Sequence, residues 1–362
     1  MNITLVISSL SCGGAERVLS IMANYWAEAG HRVTVLTFDS GKFASYSISK
    51  SIHWQALNIS CHSNSWMEGL LNNLKRIYIL RKFILHSKPD CVISFISSTN
   101  ILVLLATRLL SCKVVISERN YPKYSKVNRS LWYWMRRALY PFAAHLVVQT
   151  DEIKHYFRRY NKSVQVIHNP VQVTYKNLNE EPEIELPSGK RLVAMGRMVL
   201  QKGFDLLIPV FANLHKKFND WSLIIIGSGS LETELKQEAI RLGIEEFVYF
   251  PGRLTNPFSV LSRCDLFVLS SRYEGFPNAL LEAMVCGLPP VSFDCPSGPG
   301  EIIKHGVNGF LIPPGDVKAL KETLHVLMRD EGLRSNIGKE AITVRDRFAV
   351  DKIMKQWSKL IC

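Results

Sequence analysis

Residues 270–315, SSRYEGFPNALLEAMVCGLPPVSFDCPSGPGEIIKHGVNGFLIPPG, decide the reading of this chain. Just ahead of them Leu266, Phe267, Val268 and Leu269 form a short unbroken apolar run, which reads as a buried parallel strand. Glu274, Gly275, Phe276, Pro277 and Asn278 follow, and Pro277 and Asn278 open an apolar helix. The loop therefore stands at the carboxyl end of a strand, where open α/β sheets bind ligands. Glu274 lies in the loop, and Glu282, eight residues on, lies in the helix. Two carboxylates then flank a helix N-terminus whose unbonded N–H groups favour phosphate. That combination suits a nucleotide sugar: carboxylates accept hydrogen bonds from sugar and ribose hydroxyls while the helix end holds the diphosphate. A glutamate that merely caps or pairs locally would give the same spacing, so the rest of the chain must decide.

Working outward, the order strand, glycine loop, helix recurs. Residues 1–40 give a strand at Ile3–Ser8, the loop SLSCGGAERV, a helix to Glu28 stopped by Gly30, and a strand at Val33–Phe38, a first βαβ unit. Gly13 and Gly14 let the backbone approach a ligand beside a helix N-terminus, although the G-x-G-x-x-G spacing of a dinucleotide site is absent. Further strands are predicted at 90–95, 113–117, 146–149 and 164–168, with a short one at His53-Trp54 and a helix over 100–110. A helix over LLNNLKRIYILRKFILHSKPD divides into apolar and basic sides at Leu71, Leu74, Tyr78 and Arg81 or Lys82. NLNEEPEIELPSGK reads as a linker, and Arg191–Met195 as the first strand of a second domain. Gly196, Arg197, Lys202 and Gly203 follow that strand and place two cations five apart in a glycine-flanked loop, well suited to a diphosphate. Strands at 222–226 and 248–250 and helices over 231–242, 317–328 and 335–347 complete it, with a last helix at the end of the chain.

At 362 residues the chain is too long for one small core, and two domains are expected. No apolar run approaches the ~20 residues of a membrane span, and the start goes directly into a strand without a basic leader, so a cytoplasmic protein is expected. The eight cysteines show no metal-ligand spacing and read as reduced core thiols. Of 44 Lys and Arg and 31 Asp and Glu, 17 and 4 lie between Lys75 and Lys162, so this stretch carries the whole excess of +13. An anionic partner is implied: nucleic acid, an acidic membrane surface or a pyrophosphate-bearing substrate. Within it Trp132, Tyr133, Trp134, Arg136, Arg137, Tyr140, Tyr156, Phe157, Arg158 and Arg159 mix rings with cations. Such a mixture fits a membrane interface, single-stranded nucleic acid, or a core packed under a solvated basic face.

With these residues in view, the chain resembles the retaining glycosyltransferases of family 4, also called group 1. The likeness rests on EGFPNALLEAM…G.P.V…GP.EII..G.NGFL.P.GD with Glu274 and Glu282 as its two glutamates, on Gly196, Arg197, Lys202 and Gly203, on the GGAER loop, and on Asn169-Pro170-Val171. It implies the α/β GT-B fold: two facing Rossmann-like domains with a cleft between them and a C-terminal helix crossing back to the first domain. The implied boundaries are 1–168 for the acceptor- and membrane-facing domain, 169–190 for the linker, 191–344 for the nucleotide-sugar domain and 345–362 for the crossover helix.

By this resemblance Glu274 contacts the donor sugar, Glu282 the ribose, and Arg197 and Lys202 the diphosphate, while Gly275, Phe276, Pro277, Asn278, Ala279 and Leu280 complete the donor loop. Gly252 and Arg253 would meet the base edge, and the loop at Gly13 and Gly14 would face the diphosphate and the acceptor. Many relatives carry a histidine after the strand at 113–117, where this chain has Glu118 and Arg119. An arginine clamps phosphate but is no general base, so both residues stay donor-site candidates and no catalytic histidine is assigned. The implied reaction moves a hexose or N-acetylhexosamine from a nucleotide diphosphate sugar, UDP-sugar foremost, to a glycan acceptor linked to polyprenyl diphosphate, as in O-antigen, capsule or exopolysaccharide assembly. There is no D-x-D pair, so no metal or other cofactor is expected; cations and helix ends supply the positive charge. The expected place is the inner face of the plasma membrane, held peripherally through residues 75–162, with no nucleic-acid partner. Two rivals remain: an epimerase of the same fold, releasing a free nucleotide sugar, and a non-catalytic membrane or nucleic-acid binder, which explains the charge but not Glu274, Glu282, Arg197 and Lys202 together.

Overall fold

The apolar runs become strands of two parallel sheets in a computed structural model, which describes all residues except 12, 43, 61–64, 125–130, 174 and 362, and the side chains of 124, 175 and 176. The first sheet holds β1 (Asn2–Ile7), β2 (Arg32–Thr37), β3 (His53–Ala56), β4 (Cys91–Phe95), β5 (Lys113–Ser117), β6 (His145–Val148) and β7 (Val164–Val166), in the order β3-β2-β1-β4-β5-β6-β7. Its helices are α1 (Gly14–Glu28), α2 (Trp66–Ser87), α3 (Ser97–Ala106), α4 (Leu131–Leu139) and α5 (Asp151–Phe157). In the second unit α6 (Tyr175–Asn179) precedes β8 (Lys190–Met195), α7 (Phe204–His215), β9 (Trp221–Ile226), α8 (Glu232–Arg241), β10 (Val248–Gly252), α9 (Pro257–Leu261) and β11 (Leu266–Leu269). Then come α10 (Asn278–Val285), β12 (Pro290–Phe293), α11 (Pro299–Ile302), β13 (Phe310–Ile312), α12 (Val317–Arg329), α13 (Glu331–Ala341), α14 (Val344–Arg347) and α15 (Val350–Ile361). The second sheet runs β10-β9-β8-β11-β12-β13. In both, the order turns back at one place, between β1 and β4 and between β8 and β11. That switch point, at the carboxyl ends of the strands, is where a doubly wound sheet leaves room for a ligand.

The chain divides into two compact units, Met1–Pro170 with Val350–Cys362, and Val171–Ala349. Amphipathic α15 thus belongs with the first unit. It buries Ile353, Met354, Trp357 and Ile361 among core residues of β1, β2, β4 and β5, and Trp357 stacks on Phe95 with ring centroids 6.2 Å apart. Of the stretch expected as a linker over 169–190, Asn169 and Pro170 belong to the first unit and the remainder to the second. Val171 N–H donates to Phe348 O at 3.0 Å, and the Glu183 carboxylate accepts from the N–H groups of Thr255 and Asn256 at 3.2 and 2.9 Å.

Three local expectations are corrected. The helix expected over 100–110 is α3, three residues earlier, because Ile96 turns sharply at φ 76 directly after β4 and starts it. The helix expected over 335–347 is two, α13 and α14; Asp330 caps the first by accepting from Leu333 N–H at 2.8 Å. In α2 the apolar side is turned outward: Leu71, Leu74 and Tyr78 are exposed, Leu80 and Ile84 are buried, and Arg81 turns in to bond the carbonyls of Ala106 and Arg108 at 2.9 and 2.7 Å. Of the cysteines, Cys91, Cys112, Cys264, Cys286 and Cys295 are free thiols, and Cys12, Cys61 and Cys362 lie outside the described residues.

Candidate active site

At the switch point of the second sheet, β8 ends into the loop carrying Arg197 and Lys202, and β11 ends into the loop carrying Glu274. The two loops are bonded along their length. Arg272 N–H donates to Gln201 O at 2.8 Å, the Gln201 side-chain amide to Tyr273 O at 2.9 Å, and Ser270 Oγ to Lys202 O at 2.9 Å. The Arg272 guanidinium adds a bidentate pair with Asp205 at 2.8 and 2.6 Å and a bond to Leu200 O at 2.7 Å. Gly203, at φ +67, lets the first loop press on the second; a Cβ there would stand 2.0 Å from Ser270 O. Gly196 leaves the space filled by the Lys202 side chain, whose Cε would be 2.9 Å from a Cβ.

This bracing brings Lys202 Nζ to 2.6 Å from Glu274 Oε1, with side-chain exposures of 14% and 7%. Ser271 Oγ donates to the same oxygen at 2.6 Å. A hydrogen-bonded ion pair shielded from water keeps its geometry, so the carboxylate and ammonium are presented to a ligand already oriented. Arg197, on the same loop, is exposed, and among the described residues its guanidinium has no hydrogen-bond or ion-pair partner. Glu282 is buried within α10. Burial, then the Glu282 charge, pushes the Cys286 thiol one turn on up to about 12, which removes it from thiolate chemistry at neutral pH.

The N-cap residue of α10, Pro277, supplies no side-chain cap, and its carbonyl accepts from the N–H groups of Leu280 and Leu281 at 3.1 and 3.4 Å; the positive end of the helix dipole there favours an anion. Ser297 Oγ fixes the loop ahead of it by donating to Gly275 O at 3.0 Å. Phe276 is buried edge-on against Phe348 at 5.7 Å, and Leu280 lies in the core of the second unit with Ala279 packed against it. Their side chains hold the loop, and their main chain is what could meet a donor; Asn278 is half-buried at the start of the helix. Gly252 O accepts from Gly227 N–H at 2.7 Å, while Arg253 is exposed and bonds Ser228 Oγ at 2.8 Å. Sequence reasoning missed Ser271, Ser297 and the Arg272–Asp205 clamp, since none carries a spacing signal; only the pairing of the two loops shows them.

In the first unit Gly13 is the extended N-cap of α1 and Gly14 its first residue, and the Glu16 carboxylate lies against Gly13, 2.2 Å from where a Cβ would be. Glu118 and Arg119, at the end of β5, are both buried. Ser97 Oγ donates to Glu118 Oε2 at 2.7 Å, and the Tyr140 hydroxyl to Oε1. The carboxyl is thus absorbed into an internal network, and burial, outweighing these bonds and the Arg136 charge, raises its pKa. A carboxyl that holds its proton more tightly when folded lends stability below its unfolded value near 4.5, and that contribution is lost as the pH rises through the raised value. Glu118→Gln should therefore gain on the wild type in urea unfolding as the pH rises above 4.5; parallel pH profiles for the two proteins would contradict this.

Residues 178–344 match the model of the glycosyl transferases group 1, and residues 12–175 that of glycosyltransferase family 4. The chain is 28% identical to a Campylobacter jejuni protein, GalNAc-alpha-(1->4)-GalNAc-alpha-(1->3)-diNAcBac-PP-undecaprenol alpha-1,4-N-acetyl-D-galactosaminyltransferase, over 100% of this chain and 98% of the relative. It is 26% identical to the amylovoran biosynthesis glycosyltransferase AmsD of Erwinia amylovora, over 96% of each. Among solved structures it is similar to Anabaena HepE in complex with UDP, with a TM-score of 0.78 at 21% identity over 99% of each chain. It is also similar to the sucrose-phosphate synthase of Thermosynechococcus elongatus, with a TM-score of 0.83 at 17% identity over 99% and 97%. The two Rossmann-like domains are those of the GT-B fold. Since the two matched modules follow one another from residue 12 to residue 344, the chain belongs to the family 4, or group 1, glycosyltransferases.

Proposed function

We propose that the chain moves a hexose or N-acetylhexosamine, with retention and without a metal ion, from a UDP-sugar to a glycan acceptor carried on polyprenyl diphosphate in bacterial surface-polysaccharide assembly. The observation that carries this is the shielded Lys202–Glu274 pair at the switch point of the second sheet, with Arg197 exposed on the Lys202 loop. Glu274 holds donor-sugar hydroxyls. Lys202, Arg197 and the uncapped start of α10 hold the diphosphate, stabilising the charge that grows on it as the glycosidic bond breaks. These groups meet the electrostatic demand that a metal ion would otherwise meet. Glu274 is already engaged by a lysine and a serine, so proton removal falls to the departing phosphate, on the same face as the incoming hydroxyl. The acceptor class is supported by the Campylobacter relative, whose name specifies an undecaprenol diphosphate substrate, and the donor class by HepE, solved with UDP and with UDP-glucose. The test is transfer of label from a panel of UDP- and GDP-sugars into lipid-extractable product on bacterial membranes, with and without chelator. An α-linked product from one UDP-sugar, insensitive to chelator, supports the proposal. Label entering only water-soluble glycans or a free epimer overturns it.

Peripheral attachment to the membrane completes the proposal. No helix among the described residues is long and apolar enough to cross a membrane. The surface of the first unit offers Trp66, Leu70, Leu71, Leu74 and Tyr78 on α2 and Trp134 on α4, all exposed, with exposed Lys75, Lys82 and Arg137 among them. Arg136, taken from the sequence as one of the membrane cations, is instead fully buried, ringed by Tyr133, Tyr156, Phe157 and Tyr160 within 5.1–5.8 Å. Reversing Lys82 and Arg137 together should weaken sedimentation with anionic liposomes by roughly thirtyfold or more, at ~1 kcal/mol for each cation near the surface. Unchanged binding would remove this attachment surface.

A further inference from the structure

Neighbouring residues at the end of β5 point to opposite faces of the sheet and meet opposite fates. The Glu118 carboxyl is bonded on its side, whereas Arg119, 8% exposed, is a buried cation with which no carboxylate pairs among the described residues. Its Nη1 donates to Asn169 Oδ1 at 2.6 Å, and its guanidinium carbon lies over the rings of Phe95 and Trp357, 4.4 and 5.7 Å from their centroids. The other edge of the guanidinium, Nε and Nη2, is buried with no hydrogen-bond partner. Those two N–H groups form the side-on fork that receives two oxygens in one plane. Gln149 stands two residues beyond Val147 as Arg119 stands two beyond Ser117, its paired partner on the adjacent strand. Both polar atoms of the Gln149 side chain, and Trp357 Nε1, are likewise buried without partners.

Ring faces offset part of the cost of an interior cation, and water can serve neutral amide groups. Neither balances a full charge held away from solvent, which calls for an anion. Burial lowers the guanidinium to about 9, so it remains charged at neutral pH. We propose that Arg119, with Gln149 and Trp357, forms an oxyanion site in the first unit that takes a two-oxygen anionic group of the acceptor substrate, either a sugar carboxylate or a phosphoryl group. The proposal rests on the glycosyl-transfer reading for the word acceptor, but the site itself stands on the first unit alone. The fork of Arg119 demands a flat pair of oxygens.

The test is calorimetric titration of the full chain with two charged probes, glucuronate and a short prenyl diphosphate, each beside its neutral counterpart, glucose and the prenol, and with UDP as a separate control. At least one charged probe should bind about tenfold or more tightly than its counterpart. A glucuronate preference identifies the carboxylate and a diphosphate preference the phosphoryl group. Arg119→Gln should abolish the preference and Gln149→Leu should reduce it, while UDP affinity stays unchanged in Gln149→Leu. Should Arg119→Gln not fold, Gln149→Leu carries the comparison. Absence of any preference, or its survival in these variants, overturns the proposal. Failure of UDP to bind the wild type would instead count against the glycosyl-transfer reading and leave the anion result standing.

Discussion

Lys202→Met is expected to lower transfer by about 10²–10³-fold and to destabilise the second unit by on the order of 3 kcal/mol. The ammonium is 2.6 Å from a carboxylate that is 7% exposed, so removing it strands a buried charge, and among the described residues Ser271 alone remains to bond it. Glu274 keeps the Ser271 bond, which limits the loss to the lower end of the range for broken buried pairs. Fold and function then separate in the double variant. Lys202→Met with Glu274→Gln removes both charges, so unfolding should return most of the way to the wild-type midpoint while transfer stays lost. A double variant as unstable as the single one would mean that Lys202 holds the loop by packing, not by charge.

Gly203→Ala is expected to cost roughly 2–5 kcal/mol, from ~1–2 for an L-residue held in the left-handed region and ~1–3 for overpacking. The position has φ +67, and its new Cβ would lie 2.0 Å from Ser270 O, a backbone atom that no side-chain rotation can move aside. Because Ser270 Oγ bonds the carbonyl of Lys202, the strain falls on the contact that aligns Lys202 with Glu274, and transfer should fall along with stability. Gly243 is the control: it has φ +66 and nothing within 4 Å of a Cβ, so Gly243→Ala should show the left-handed cost alone. Equal thermal shifts for the two variants would contradict the close contact between the loops.

Much of this was legible in the sequence because strands buried on both faces announce themselves as unbroken apolar runs, such as Leu266–Leu269. A glycine loop after such a run then marks the carboxyl edge of the sheet, and in the second unit the two marked loops meet at the switch point. Charge was less legible. Arg136 and Arg137 are neighbours of one type, yet one is fully buried among tyrosines and the other is exposed, since their 100° separation on α4 decides which face each takes. The outward-facing leucines of α2 show the converse: an apolar stripe signals burial only when something covers it. Residues 169–190 read as a linker from composition, but Glu183 finds two backbone N–H groups on the second unit, a pairing between stretches some seventy residues apart that no local pattern records.

The measurement that tests the central claim most directly is UDP affinity and transfer rate in Glu274→Gln, taken side by side. Glutamine keeps the shape and loses the charge, so the account predicts UDP binding within about twofold of wild type and transfer lower by about 10² or more. Transfer retained within tenfold, or UDP binding lost in step with transfer, would contradict the assignment of Glu274 to the donor sugar.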